Sequence, residues 1–112
     1  MSIPRPGQPV RGSRTGAPIM ALFDLLGRRW SMGVIWNLSR GPDTFRGLQA
    51  SCESISPSVL NHRLRELREA GLIEKTEVGY ALTVMGRGLF AVLEPMGRWS
   101  LQWAKELDDP EV

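Results

Sequence analysis

Ser58, Asn61, His62 and Arg65 stand at offsets that gather them on one side of a helix. At about 100° per residue they share an arc of roughly 100°, while Leu60, Leu64 and Leu67 collect within about 60° on the other side. Asn and Arg side chains can pair in bidentate fashion with adenine and guanine edges, and Ser and His can make single contacts to bases or phosphates. The chemistry on offer is hydrogen bonding to nucleic acid. Arg63 falls on the flank of this face, where an ion pair with Glu66 and a phosphate contact are both open to it. The solvated face of an ordinary amphipathic helix has the same pattern, so the neighbouring elements must decide.

Bond-making chemistry is poorly provided for. The chain has one His and one Cys, and no pair of carboxylates at a suggestive spacing. His62 has Asn and Arg for neighbours, with no nucleophile or set of metal ligands beside it. No glycine-rich phosphate loop follows a strand. The expectation is a protein that is not an enzyme and needs neither metal nor cofactor. Cys52 shares an apolar face with Phe45 and Leu48 and reads as a small buried hydrophobe. A redox role would require an exposed thiol of lowered pKa.

The elements around the polar face follow from spacing and punctuation. Ile19, Leu22, Phe23, Leu26 and Trp30 recur at helical spacing, continued by Val34, Ile35 and Leu38. Gly27 and Gly33 argue for two helices with a joint near Gly27–Trp30, and Gly41-Pro42 stops the second. Thr44 caps a short helix carrying Phe45, Leu48 and Cys52. Ser56-Pro57 starts the next, with Ser as cap and Pro at a position where its missing N–H costs nothing, and Gly71 ends it. Residues 72–76 and 79–82 read as two short strands around a turn at Val78-Gly79. Thr83 caps a last helix reaching about Leu107. The fold class is mainly α: four helices, a two-stranded hairpin and a long final helix. A short helix, a tight connection and a second helix make a helix-turn-helix, and the hairpin after it makes the unit winged. In that arrangement residues 56–70 form the recognition helix, laid in the major groove of double-stranded DNA with the short helix bracing it.

In this order and spacing the sequence resembles the HxlR family of bacterial winged-helix regulators, relatives of the MarR-type proteins. The resemblance runs through Leu22–Leu26 with Gly27 and Trp30, Ile35–Leu38, Gly41-Pro42, Phe45–Leu48, Ile55–Leu60, Arg63–Leu67, Gly71–Ile73 and Tyr80–Thr83 with Gly86. It implies a homodimer built from the N-terminal and C-terminal helices, which brings in Ile19 and Phe23. It also implies Ser56, Ser58, Asn61, His62 and Arg63 on the recognition helix and Arg46 near phosphate on the bracing helix. The chain departs from the family in two places. Thr15-Gly16-Ala17-Pro18 has no thiol where family members usually carry a cysteine before the first helix. The wing tip Glu77-Val78-Gly79 is short, leaving Lys75 as its one basic contact.

From Val84 to Leu107 is roughly 36 Å of helix at 1.5 Å per residue, more than a compact winged domain needs. Leu89, Val92, Met96, Trp99, Trp103 and Leu107 share a wide apolar face, and Pro95 should bend or divide the helix. An apolar face that outreaches its own domain calls for a second copy, with Trp99 and Trp103 at or beside the interface. The competing reading has both Trp rings in the monomer's own core. A cavity between this helix and the N-terminal helices, near Trp30, Trp36 or Trp99, leaves room for a small apolar effector.

Length bounds the rest. At 112 residues with 42% hydrophobic and 23% charged, the chain is one globular domain. Residues 1–16 carry three Arg, three Pro and no acid and read as a flexible basic arm, residues 17–107 as the domain, and residues 108–112 as an acidic tail. A net charge of +2 fits a polyanion partner without identifying one. A single cysteine, no membrane-length apolar run and no signal-peptide core point to a cytoplasmic protein. The rival function is a winged-helix scaffold used as a protein-interaction module without specific DNA binding. It predicts that the outward face of residues 56–70 is irrelevant to DNA.

Overall fold

The computed structural model describes residues 3–53 and 55–108. The chain runs through helices α1 (Pro18–Leu26), α2 (Ser31–Leu38), α3 (Phe45–Ser51) and α4 (Pro57–Glu69), the hairpin β1 (Ile73–Thr76) and β2 (Gly79–Leu82), and helix α5 (Val84–Asp108). The expected order of elements is the observed one, and the fold is a winged helix-turn-helix.

The boundaries have local causes. Thr44 Oγ1 accepts from the Gly47 N–H at 3.0 Å and Ser56 Oγ from the Val59 N–H at 3.2 Å, so each caps its helix. Thr83 does the same for α5 through the Gly86 N–H at 3.0 Å, and its hydroxyl donates to the Gly71 carbonyl at 2.6 Å. The joint between α1 and α2 turns at Trp30, a non-glycine residue at φ 76°. That is an uncommon conformation for a bulky side chain. Arg29 lies over the Trp30 ring, 5.2 Å from its centroid.

The hairpin pairs Thr76 with Gly79, so its turn residues are Glu77 and Val78, one position earlier than expected. Asp43 and Tyr80 exchange two backbone hydrogen bonds, 3.0 and 2.7 Å, which tie the wing to the entrance of α3. Gly79 sits at φ 141°, and a Cβ there would run into the backbone of Asp43 and Thr44. The core is a single cluster in which Leu26, Ile35, Leu48, Leu64, Ile73 and Leu93 meet from separate elements. Trp36 stands edge-on to Phe90 at 5.1 Å, against Gly97, and so seats α5 on α2.

Of the two effects expected of Pro95, division of the helix does not occur: α5 runs through it unbroken. Around it the helix is exposed at Glu94 and Met96, where a lost backbone hydrogen bond can be replaced by water. Residues 3–16, expected to be a flexible arm, fold back on the body. Gly7 and Gly16 are joined by a 2.8 Å backbone bond, Arg5 Nη2 donates to Glu69 Oε2 at 3.0 Å, and the Arg11 N–H donates to Asp24 Oδ2 at 3.2 Å. Positive-φ glycines at 7, 12 and 16 supply the reversals. Of the expected acidic tail, Asp108 ends α5 and residues 109–112 lie outside the described residues.

Because Gly79 combines a left-handed backbone with contact to Asp43, Gly79→Ala should destabilise the fold by about 1–3 kcal/mol. Urea unfolding followed by circular dichroism measures it; an unchanged midpoint would remove the wing-to-α3 tie from the account.

Candidate nucleic-acid interface

α4 is held by its apolar stripe: Leu60, Leu64 and Leu67 are fully buried. At about 1.5–3 kcal/mol for each buried Leu, that stripe fixes which way the helix faces. Ser58, Asn61 and Arg65 are left exposed on the opposite side, as the wheel requires. Ser56 is exposed too, though its hydroxyl is committed to the cap and lies 3.4 Å from Ser58 Oγ. The first turn of α4 carries no acidic residue, so the positive end of the helix dipole stays open to an anion.

On the flank of α4 one of the two expected alternatives is realised. Arg63 turns inward: its Nη1 donates to Glu66 Oε1 at 2.6 Å and its Nε to the Arg29 carbonyl at 2.8 Å. Arg28 donates to the other oxygen of Glu66, and His62 Nε2 stands 3.6 Å from that same atom. Of the two options on the flank, Arg63 takes the ion pair and is spent on positioning rather than on phosphate. His62 is only half-exposed beside this group. Glu66 is 6% exposed, and it anchors α4 to the joint between α1 and α2. Glu66 was visible in sequence as a neighbour of Arg63; Arg28, thirty-eight positions before Glu66, had no local signal.

Arg46 is exposed on α3, and Lys75 is exposed on β1 with its Nζ 5.9 Å from the Tyr80 ring centroid. Arg65, Arg68 and Lys75 converge with Glu69 and Glu74 around an open depression of about 520 Å³ between α4 and β1. Arg68 was missed in the sequence; its offset of three from Arg65 on the outward face was the available signal.

Cys52 is buried, and Asn37 Nδ2 reaches its sulfur at 3.6 Å. Burial raises the thiol's pKa, only partly offset by the Asn37 hydrogen bond. The thiolate is therefore scarcer than in a free cysteine at neutral pH, which fits the small-hydrophobe reading.

The expected interface residues are all on the surface. Ile19 and Phe23 on α1, and Val92, Met96, Trp99 and Trp103 on α5, are each more than half exposed. Trp99 and Trp103 stack on each other at 6.1 Å, so they do not fill the monomer's core. Trp36 is taken up by Phe90 and Gly97 rather than lining an effector cavity.

The family model described as HxlR-like helix-turn-helix matches residues 25–108. The chain belongs to that family. It is 33% identical over 93 residues to the HTH-type transcriptional regulator YodB of Bacillus subtilis, covering 77% of this chain and 83% of the relative. The quinone-bound structure of YodB superposes with a TM-score of 0.70 at 36% identity, covering 75% of this chain and 96% of that one. A possible HxlR family transcriptional factor from Thermoplasma volcanium superposes with a TM-score of 0.66 at 30% identity, covering 79% and 82%. This HxlR-like chain is thus a DNA-binding transcriptional regulator and not an enzyme. Among the described residues no helix is long and apolar enough to cross a membrane.

Replacing Glu66 by Ala would leave Arg28 and Arg63 without their shared carboxylate. A loss of about 3 kcal/mol in unfolding free energy is expected, in the range for breaking a buried pair from one side. Loss below about 0.5 kcal/mol in urea titration would show that the leucine stripe alone holds α4.

Proposed function

We propose that this regulator binds double-stranded DNA as a homodimer, in the cytoplasm, with α4 of each copy in the major groove. Asn61 and Arg65 read base edges, and Ser58 and His62 add single contacts. Ser56 and the N-terminal end of α4 meet a phosphate, Arg46 meets another from α3, and Lys75 contacts the backbone from the wing. Arg63 acts through Glu66, holding the helix that carries the readers. The observation that carries this reading is the outward row Ser58, Asn61 and Arg65, exposed directly opposite the buried leucine stripe. Bidentate pairs of the kind open to Asn61 and Arg65 discriminate by about 1–3 kcal/mol each.

The experiment is fluorescence anisotropy with a duplex from the chain's own upstream region and a random duplex, at two salt concentrations. Preference for the upstream duplex, with affinity falling steeply as salt rises, is expected. Asn61→Ala and Arg65→Ala should each weaken that preference about 10-fold or more without altering the unfolding midpoint. Variants silent on DNA would instead favour the protein-interaction scaffold.

Self-association is supported by the exposed apolar surface of α1 and the outer half of α5. Stacked aromatic rings more than half open to water are costly to leave unpaired and typical of interface anchors. Two recognition helices would then address half-sites about one turn of DNA apart. Sedimentation at low micromolar concentration should give a dimer, and Trp103→Glu a folded monomer. A wild-type monomer at that concentration would overturn the assembly. The quinone bound to YodB is consistent with a small effector in this family as well.

A further inference from the structure

A cavity of about 340 Å³ lies between residues 3–6, α1 and the C-terminal end of α4. Ile3 and Pro6 line it from the leader, Leu22 and Leu25 from α1, and Leu72 and Met85 from the segments beyond α4. Apart from Arg5 and Glu69 its lining is apolar. The volume is in the lower part of the ~300–1,000 Å³ range of small-molecule sites and suits a one- or two-ring body. Residues 3–6 precede the family-matched stretch 25–108.

The two charged groups define the chemistry of the occupant. Glu69 Oε2 accepts from Arg5 Nη2 at 3.0 Å and from the Ile3 N–H at 3.3 Å. Their charges cancel, so an ionised ligand would carry an unbalanced charge into an apolar space, at a desolvation cost. A guanidinium has five N–H donors, and among the described residues Arg5 gives one of them to Glu69. The Arg5 side chain is 51% exposed, so its remaining donors face water at the cavity rim, where a ligand acceptor can take a water's place.

We infer that this cavity binds a neutral, apolar molecule of one or two rings carrying a single hydrogen-bond acceptor, which Arg5 receives. It is an effector site as well, because Glu69 and Ala70 at the end of the recognition helix form part of its lining. That regulatory role rests on the DNA-binding reading above; the binding itself does not.

The test is an NMR titration of the ¹⁵N-labelled full chain, without DNA, using 2-acetylnaphthalene, 2-ethylnaphthalene and 2-naphthoate. Saturable amide shifts are expected at Ile3, Arg5, Leu22, Leu72 and Met85, with the ketone about 10-fold tighter than the hydrocarbon. The carboxylate should bind more weakly than the ketone. Arg5→Ala should remove the ketone's advantage over the hydrocarbon, the two then binding with the same affinity. Met85→Trp, at an exposed rim position, should weaken both by filling the opening. No saturation, or shifts centred on Trp99 and Trp103, would overturn the site. Tightest binding by the carboxylate would overturn the neutral class. Each of these failures would leave the DNA titration, and the reading of α4, standing.

Discussion

Burying the carboxylate of Glu66 would cost several kcal/mol if it were left alone, since an ion in a low-dielectric interior loses its hydration. Arg28 and Arg63 make it tolerable, one on each oxygen, with His62 alongside. The leucines of α4 set which way the helix faces, and hydrophobic packing of that kind is not directional. The ion pairs add direction: they fix α4 along its length relative to the turn between α1 and α2. Arg63 also donates to the carbonyl of Arg29, next to the left-handed Trp30. One carboxylate thereby joins α4 to the joint beneath it, and the outward residues inherit their position from that contact.

The wing is anchored by different means. Its two-residue turn is too short to reach far, and its tip carries Glu77, which repels phosphate. Backbone pairing between Asp43 and Tyr80 nevertheless holds β2 against the entrance of α3. Lys75 is thereby kept beside Arg65 and Arg68, so basic side chains of the wing and of α4 share one side of the molecule. A short wing loses reach but keeps this convergence.

Much of this architecture was legible because it depends on neighbours in sequence. Thr44, Ser56 and Thr83 cap their helices through backbone N–H groups three residues on, and Gly71 follows the end of α4. The burial of Leu60, Leu64 and Leu67 follows from helical period alone. What escaped was set by long-range pairing. On the flank, Arg63 has two local options, Glu66 or phosphate, and nothing local says that Arg28 joins it at Glu66. The leader was read as unstructured from its composition, yet its partners, Glu69 and Asp24, lie far along the chain. Trp36 was placed near a cavity because the space it fills is made by Gly97 on another helix.

The modest net charge of +2 is a poor guide to the interface for the same reason. Arg28 and Arg63 are paired with the one carboxylate of Glu66, Arg5 with Glu69 and Arg98 with Glu94. Among the described residues Arg46, Arg65, Arg68 and Lys75 form no such ion pair, and they lie on α3, α4 and β1. Counterion release depends on the cations that meet phosphate, not on the total. The paired arginines hold the scaffold together; four of the other cations sit on α3, α4 and β1, while Arg11, Arg14, Arg29, Arg40, Arg87 and Lys105 lie elsewhere on the chain. Net charge therefore says little about local charge: Arg65, Arg68 and Lys75 share one depression with Glu69 and Glu74.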